Sequence, residues 1–239
     1  MSSFFCLSQV LQLIVVVSPD WESVDGTLCC FERKASSGWE VVGQPVEVSL
    51  GKEGMAWGRG LLDLPRQGVE KMEGDNKSPA GLFSLGPIFG DRVHQEYARC
   101  MPFMLITDDL ECVDDPSSGY YNQLVYANAI EERDWTSSEK MKEIGFLYDI
   151  GVVIQQNHNP VKAGMGSAVF MHIWRGIGMG TAGCTAMNEE NLSEIVAWLN
   201  CAKHPCLLQL PAVEYARLQL ELGLPEVNRK ERDSNPRYP

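Results

Sequence analysis

Two side chains in the C-terminal third of the chain could together carry out nucleophilic chemistry. His172 lies in the segment Ser167–Trp174, which alternates in the manner of a strand, and Cys184 lies in the turn Thr181–Ala186. A cysteine attacks as its thiolate, and an imidazole beside it can take the thiol proton. The stretch Arg175–Gly180 between them contains three glycines, which allow the chain to reverse. We therefore expect Cys184 to return to the side of His172.

The residue before the cysteine adds to this chemistry. Gly183 permits a tight turn, and the backbone N–H groups of Cys184 and a neighbour could stabilise an oxyanion. A thiolate and the imidazolium of His172 would also stabilise each other. A Cys–His pair 12 positions apart (184 minus 172) is by itself a weak indication, because a buried structural cysteine is more common than a catalytic one.

A second segment, Gly74–Phe83, reads Gly-Asp-Asn-Lys-Ser-Pro-Ala-Gly-Leu-Phe. It carries neither G-x-x-x-x-G-K-[ST] nor G-x-G-x-x-G, so a nucleotide-binding loop is disfavoured. Instead it is similar to the G-D-x-x-T-P-x-G-x-F segment of the L,D-transpeptidase (YkuD-type) catalytic domain of bacterial cell-wall enzymes. The same family has a histidine, a glycine-rich stretch and then [S/T]-H-G-C, a pattern that His172, Thr181, Gly183 and Cys184 resemble.

The resemblance covers about residues 9 to 210, and the loop between the histidine and the cysteine is shorter than is usual in the family. It implies a β-sandwich or barrel-like catalytic domain with few helices. It also implies that Cys184 is the nucleophile, that His172 is the base and that Gly183 belongs to the catalytic turn. Thr181 is assigned to substrate binding on the same basis.

Two positions depart from the family pattern. Ala182 stands where the family often has a histidine before Gly-Cys, a histidine that is not the base. Ala186 stands where the family often has an arginine that is thought to hold a substrate carboxylate. Arg175 is the candidate replacement, because a guanidinium can bind a carboxylate through two parallel hydrogen bonds. The alternative is an ordinary surface arginine.

Other polar and aromatic residues are weaker candidates. Asn157 and His158, in a polar turn after a predicted strand, could line the substrate cleft or simply form the turn. Trp57, Trp135 and Trp174 could stack on sugars, although tryptophan is usually a core residue. No set of histidine, cysteine and aspartate residues has the spacing of a metal site, so we expect neither a metal nor a cofactor.

Composition places the chain among globular proteins. Its 239 residues are 44% hydrophobic and 22% charged, which excludes a disordered chain, a collagen-like repeat and a coiled coil. No uncharged apolar run approaches the roughly 18 residues of a membrane span. Lys and Arg number 20 against 32 Asp and Glu, and the net charge of -12 disfavours a nucleic-acid partner. The eight cysteines lack C-x-x-C spacing, so a zinc ribbon is not indicated.

The apolar pattern predicts mostly β-structure with a few helices, a strand-rich α+β domain. Short β-type runs separated by turns about ten residues apart predict an antiparallel meander in the first part of the chain. The predicted strands are Val10–Val17, Leu28–Glu32, Trp39–Val42, Val46–Leu50, Gly151–Gln155, Ser167–Trp174 and Cys206–Leu210. The predicted helices are 137–144 with Thr136 and Glu139 as a capping box, Asn191–Asn200 with Asn191 and Glu194 as its capping pair, and Pro211–Leu222.

These elements predict one catalytic domain over residues 9–223 and a tail over 224–239. The tail is rich in charge and poor in apolar residues, a composition typical of disorder. The stretch before Pro19 lacks the basic region and the A-x-A site of a signal peptide, so we interpret it as the first strand.

The resemblance implies a function as well as a fold. It implies cysteine-dependent acyl transfer on peptidoglycan stem peptides, through a thioester at Cys184, which would cross-link or remodel the bacterial cell wall and contribute to cell shape. Such an enzyme is expected in the periplasm or cell envelope, and carbapenems are expected to acylate it. The same Cys184 and His172 could instead serve a peptidoglycan amidase or endopeptidase. A third alternative is an inactive module that binds the cell wall.

Overall fold

The computed structural model describes residues 7–34, 38–62 and 68–227 of the chain. The strands in these ranges are β1 Gln12–Ser18, β2 Asp25–Lys34, β3 Gly38–Ser49, β4 Met55–Trp57, β5 Ser78–Gly90, β6 Phe103–Leu105, β7 Leu110–Val113, β8 Leu124–Tyr126, β9 Ser138–Lys140, β10 Ile150–Ile154, β11 Phe170–Ile173, β12 Thr185–Met187 and β13 Cys206–Pro211. The α-helices are α1 Glu189–Trp198 and α2 Ala212–Leu222. Short 3-10 helices span Leu7–Gln9, His94–Tyr97, Ala127–Ala129, Met141–Tyr148 and Cys201–Lys203. The predicted class, a strand-rich α+β protein, is confirmed. Within these ranges, no helix is both long and apolar enough to cross a membrane.

Ten of the described strands form one mixed sheet whose ladder returns on itself. Neighbouring strands follow the order β10–β11–β12–β3–β2–β1–β13–β5–β4, and β6 also pairs with β5. On its other side β10 pairs with β5, for example through Val152 opposite Ile88. The eight strands from β10 round to β5 therefore make a closed, barrel-like ring. Strands β8, β7 and β9 form a separate sheet with β7 in the centre.

The two faces of β11 are buried in different clusters. Met171 packs in the main core, whereas Phe170 packs with Phe89 of β5 and Leu110 of β7 in a second cluster. Adjacent residues of a strand point to opposite faces, so the alternation predicted for this segment is confirmed within β11. His172 therefore shares the face of Phe170, the side on which the three-stranded sheet packs.

Most predicted strands are present, with shifts of a few residues at their ends. Strands β1, β2, β10 and β13 match the predicted runs, and β1, β2 and β3 form the expected antiparallel meander. Helix α2 begins after Pro211 and ends at Gly223, whose φ of 59° is the left-handed conformation of a glycine C-cap.

Two strand boundaries differ from the prediction. The runs Trp39–Val42 and Val46–Leu50 belong to a single strand, β3, because Gly43 (φ 72°) lies in a bulge and not in a turn between two strands. Strand β11 covers only Phe170–Ile173, because Ala168 has a φ of 51°, which interrupts extended structure.

Two helix predictions need correction. The segment 137–144 begins as β9 and continues as a 3-10 helix. Thr136 does not cap a helix, because its hydroxyl donates to the Asp115 carboxylate at 2.7 Å. Helix α1 begins after Asn188, whose Oδ1 accepts a hydrogen bond from the Asn191 amide at 2.9 Å, so Asn188 is the N-cap.

The last described residues pack onto α2. Leu224 is buried in the main core, and the Tyr215 hydroxyl donates to the Pro225 carbonyl at 2.6 Å. The packed chain therefore continues past residue 223. The remainder of the predicted tail, 228–239, lies outside the described residues.

The position of β13 between β1 and β5 predicts a large effect of truncating its core side chains. Leu208 is 0% exposed and lies opposite Val15 and Leu82 on the two neighbouring strands. Leu208→Ala is expected to lower the free energy of unfolding by about 2–5 kcal/mol, through lost burial and a residual cavity. Leu220→Ala is the control, because Leu220 is 94% exposed, and it should change this free energy by less than about 0.5 kcal/mol. Urea unfolding measures both, and equal effects would disprove the placement of β13.

Candidate functional site

Cys184 and His172 line the same cavity, which has a volume of about 430 Å³. The cavity lies on the second face of β11. Its walls come from β11 itself, from the loop between β11 and β12, from the 3-10 segment 141–148 and from the segment that leads into β5. Trp174 and Tyr148 contribute aromatic surface to it. The structure thus brings together the two side chains that the sequence paired.

The turn that carries Cys184 is fixed through the carbonyl oxygen of that residue. This oxygen accepts hydrogen bonds from the hydroxyls of Ser78 (3.1 Å) and Thr181 (2.6 Å). Ser78, the first residue of β5, accepts in turn from the Gly51 amide at 2.9 Å. The two segments that carry the family resemblance are therefore joined directly, although Ser78 and Cys184 are 106 residues apart in the chain.

Thr181 lines the cavity, but its hydrogen-bonding groups are used within the protein. Its amide donates to the Leu50 carbonyl at 2.7 Å, and its carbonyl accepts from the Lys52 amide at 2.9 Å. Its hydroxyl accepts from the Gly183 amide at 3.0 Å while it donates to Cys184. The geometry therefore indicates that Thr181 positions the turn. It does not favour the role in substrate binding that the resemblance implied.

Gly183 is required for conformational reasons. Its φ of 141° is one that other residues rarely adopt, and a Cβ atom here would lie 2.9 Å from the Lys77 carbonyl oxygen. Its N–H group is already donated to the Thr181 hydroxyl. This amide is consequently not available as the second oxyanion donor beside Cys184.

Burial dominates the chemistry of the Cys184 thiol. Its Sγ atom accepts a hydrogen bond from the Phe170 amide at 3.3 Å and lies 3.5 Å from the Ala168 carbonyl oxygen. The pKa of the thiol is raised to about 12, chiefly because burial penalises the thiolate and also because the Glu139 carboxylate is near. The Phe170 amide and the Lys71 ammonium oppose this rise. The resting group at neutral pH is therefore a thiol.

His172 is held in the tautomer that a general base requires. Its Nδ1 donates to the Ile173 carbonyl at 2.7 Å, which leaves the lone pair on Nε2. The ring packs edge-on against Tyr148, with the ring centroids 5.4 Å apart. Burial lowers the pKa of His172 to about 4; the Ile173 carbonyl opposes this and the charge of Arg175 adds to it. The imidazole is therefore neutral at pH 7.

This charge state differs from the expectation that a thiolate and an imidazolium stabilise each other. Burial is the largest influence on both pKa values, and it disfavours the charged form of each group. A neutral pair can still react, because the imidazole can take the thiol proton as Cys184 attacks. If His172 serves as the base, it acts during the reaction and does not prepare a thiolate beforehand.

Charged side chains of both signs line the rest of the cavity. The charged lining residues are the cations Lys52, Lys71 and Arg175 and the carboxylates Glu73, Asp114 and Glu139. Burial raises the pKa of the Glu139 carboxyl, although the Tyr148 hydroxyl, which donates to it at 2.7 Å, opposes the rise. Arg175 thus lies at the cavity where the sequence placed it, with an exposed side chain.

The structure does not bring Asn157 and His158 to this cavity. The Asn157 side chain is turned into its own loop, where its amide donates to the carbonyls of Lys162 (2.8 Å) and Gly166 (3.1 Å). His158 lines a separate cavity of about 180 Å³. The polar turn after β10 is therefore held by hydrogen bonds within its own loop, and neither Asn157 nor His158 lines the cavity of Cys184.

Sequence reasoning missed Lys71 and assigned Glu139 to a helix cap. Lys71 pairs with Asp75 at 2.5 Å. The four-residue spacing of the two residues could have indicated an ion pair, but the same spacing is equally typical of an exposed pair on a helix. Glu139 faces the cavity because β9 pairs with β7, opposite Cys112. That pairing is not visible in the local sequence.

Comparison with family models, with curated proteins and with solved structures finds no match to this chain. Among the described residues, no group of three or more His, Cys, Asp or Glu side chains is placed to hold a metal ion.

The buried, neutral state of His172 predicts a specific NMR signature. At pH 7 only Nδ1 should carry a proton, and the ring should titrate near pH 4. The unfolded chain takes up this proton near pH 6.5, so the His172 contribution should make the fold less stable as the pH falls from 6.5 towards 4. Nitrogen-15 NMR of histidine-labelled protein measures the protonation, and His172→Gln assigns the resonance. An imidazolium signal at pH 7 would restore the ion-pair interpretation.

Proposed function

We propose that this chain is a cysteine acyltransferase of the L,D-transpeptidase (YkuD) type, acting on peptidoglycan stem peptides in the periplasm or cell envelope. The observation that carries the proposal is the shared cavity of Cys184 and His172, with the second motif bonded to the Cys184 carbonyl through Ser78. The closed ring of strands is compatible with the barrel-like domain that the resemblance implies.

The first half of the proposed reaction makes a thioester. The Cys184 Sγ attacks the carbonyl carbon of a bond between an L-centre and a D-centre, and its proton passes to Nε2 of His172. The carbonyl π-electrons move to the oxygen. When the intermediate collapses, the C–N bond breaks and His172 returns the proton to the leaving amine. An acceptor amine then attacks the thioester and releases the thiol, which forms the cross-link.

The lining of the cavity bears on whether the thioester passes to an amine or to water. Glu73, Asp114 and Glu139 place three carboxyl groups around a cavity that also holds the nucleophile. The cations Lys52, Lys71 and Arg175 line the same cavity, so its charge does not by itself favour a cationic acceptor over water. A peptidoglycan hydrolase would use the same Cys184 and His172, so the acceptor distinguishes the two activities.

Product analysis tests the proposed activity. Stem tetrapeptide donor incubated with an amine acceptor should give cross-linked product, detected by liquid chromatography and mass spectrometry. Cys184→Ala should abolish the product and leave the fold intact, because the change removes one sulfur atom. Cys206→Ala is the matched control, since burial also raises the pKa of Cys206 to about 12 but this residue does not line the cavity. Unchanged turnover by Cys184→Ala would remove it from the mechanism, and hydrolysed donor alone would favour the hydrolase.

Arg175 is proposed to bind the terminal carboxylate of the donor. Its side chain is exposed at the cavity, and its charge reaches His172. Arg175→Ala should raise KM for a donor with a free carboxylate by about 10- to 100-fold, the range of one charge-assisted hydrogen bond of about 1.5–3 kcal/mol. The KM for a donor with an amidated terminus should rise much less. Steady-state kinetics with both donors decide the point, and equal losses would show that Arg175 does not bind the carboxylate.

A further inference from the structure

Lys71 is a buried cation at the cavity that the reaction described above does not use. Its side chain is 4% exposed, and the residue lies between β4 and β5. Its amide donates to the Trp57 carbonyl at 2.8 Å, which fixes the start of the side chain to the end of β4. A buried lysine is rare unless it is paired, so its environment is informative.

The Lys71 ammonium has one N–H group that can donate a hydrogen bond into the cavity. Its Nζ atom donates to the Asp75 carboxylate at 2.5 Å and to the Met72 carbonyl at 3.1 Å. An ammonium has three N–H groups, so within the described part of the chain these two contacts leave a third. Lys71 is itself a lining residue of the cavity that contains Cys184.

Two glycines make room for this side chain. A Cβ atom on Gly166 would lie 3.1 Å from Cγ and 3.2 Å from Cε of Lys71, and Gly166 has a φ of 90°. A Cβ atom on Gly183 would lie 3.6 Å from the Lys71 Nζ. The ammonium therefore lies directly beside the backbone of the residue that precedes Cys184.

A backbone oxyanion site at this turn lacks one of its usual donors. Attack by a thiol places negative charge on the former carbonyl oxygen, and two donors commonly stabilise that charge. The Gly183 amide is donated to the Thr181 hydroxyl, as described above. The Lys71 ammonium is a group of opposite charge beside this turn, and its field also favours the thiolate of Cys184.

We propose that Lys71 is a catalytic residue, whose ammonium donates a hydrogen bond to the oxyanion formed when Cys184 attacks an acyl carbonyl. The inference rests on the proposed acyl transfer at Cys184. In that step the S–C bond forms, the π-electrons of the carbonyl move to its oxygen, and the thiol proton passes to His172. The Lys71 proton stays on nitrogen throughout, and the oxyanion returns to a carbonyl when the leaving group departs.

Two reactions of the Cys184 thiol distinguish stabilisation of the oxyanion by Lys71 from stabilisation of the thiolate. Acetylation by p-nitrophenyl acetate passes through an oxyanion, whereas alkylation by iodoacetamide does not. Both rates are measured at Cys184 by peptide mass mapping of the full chain. Lys71→Met should slow acetylation by about 100-fold, the cost of removing one oxyanion donor, and should slow alkylation much less.

Matched variants exclude a structural explanation. Lys77→Met removes a cation of the same segment whose ammonium contacts the Glu53 carbonyl, and it should behave as wild type. Lys71→Gln provides a second uncharged replacement, with circular dichroism as the check of folding.

Each outcome decides between the alternatives. If Lys71→Met slows both reactions equally, Lys71 acts by stabilising the Cys184 thiolate, and the proposal is overturned. An unchanged acetylation rate in Lys71→Met would also overturn it. An equal loss of acetylation in Lys77→Met would assign the effect to the segment that carries both lysines and would overturn the role of the Lys71 ammonium. A wild-type Cys184 that is alkylated but never acetylated would instead overturn the proposed acyl transfer itself.

Discussion

The hydrogen bonds to the carbonyl oxygen of Cys184 are the interaction on which the site depends. The hydroxyls of Ser78 and Thr181 both donate to this oxygen, from the start of β5 and from the loop that returns from β11. Each such bond contributes about 0.5–1.5 kcal/mol, but together they set the position of Cys184. Because Thr181 is itself bonded to the backbone of Leu50 and Lys52, the turn is tied to the main sheet on two sides.

Burial then decides what the site can do. The closed ring of strands and the three-stranded sheet exclude water from both Cys184 and His172, and the neutral forms of both groups are favoured. The arrangement is suited to a substrate that fills the cavity, since the proton then moves only as the thiol attacks. The charged side chains that line the cavity can replace water as the electrostatic partners of a bound substrate.

Local signals predicted the parts of the structure that local interactions determine. The β-branched run in β1, the Pro and Gly at the ends of α2 and the alternation in β11 each depend on the residues beside them. That Cys184 and His172 lie at one cavity was also predictable, because a short glycine-rich loop limits where Cys184 can lie. Thr136 was mispredicted because Asp115, 21 positions away, captures its hydroxyl.

The same reasoning explains the features that the sequence did not reveal. The burial of Lys71 depends on Gly166 and Gly183, about a hundred residues further along the chain, so no local pattern marks it. Asn157 and His158 have suitable chemistry, but the fold turns one into its own loop and places the other at a different cavity. Residue type indicated which groups could react, and only the packing of distant segments selected among them.

The mass of the intact protein after incubation with a carbapenem tests whether Cys184 is an acyl-accepting nucleophile. Opening of the β-lactam ring by the thiol would leave the whole drug attached as a thioester. We expect one adduct, located on the peptide that contains Cys184 and absent from Cys184→Ala. An unmodified mass, or adducts confined to the exposed Cys100 and Cys201, would contradict the assignment of Cys184 as the nucleophile.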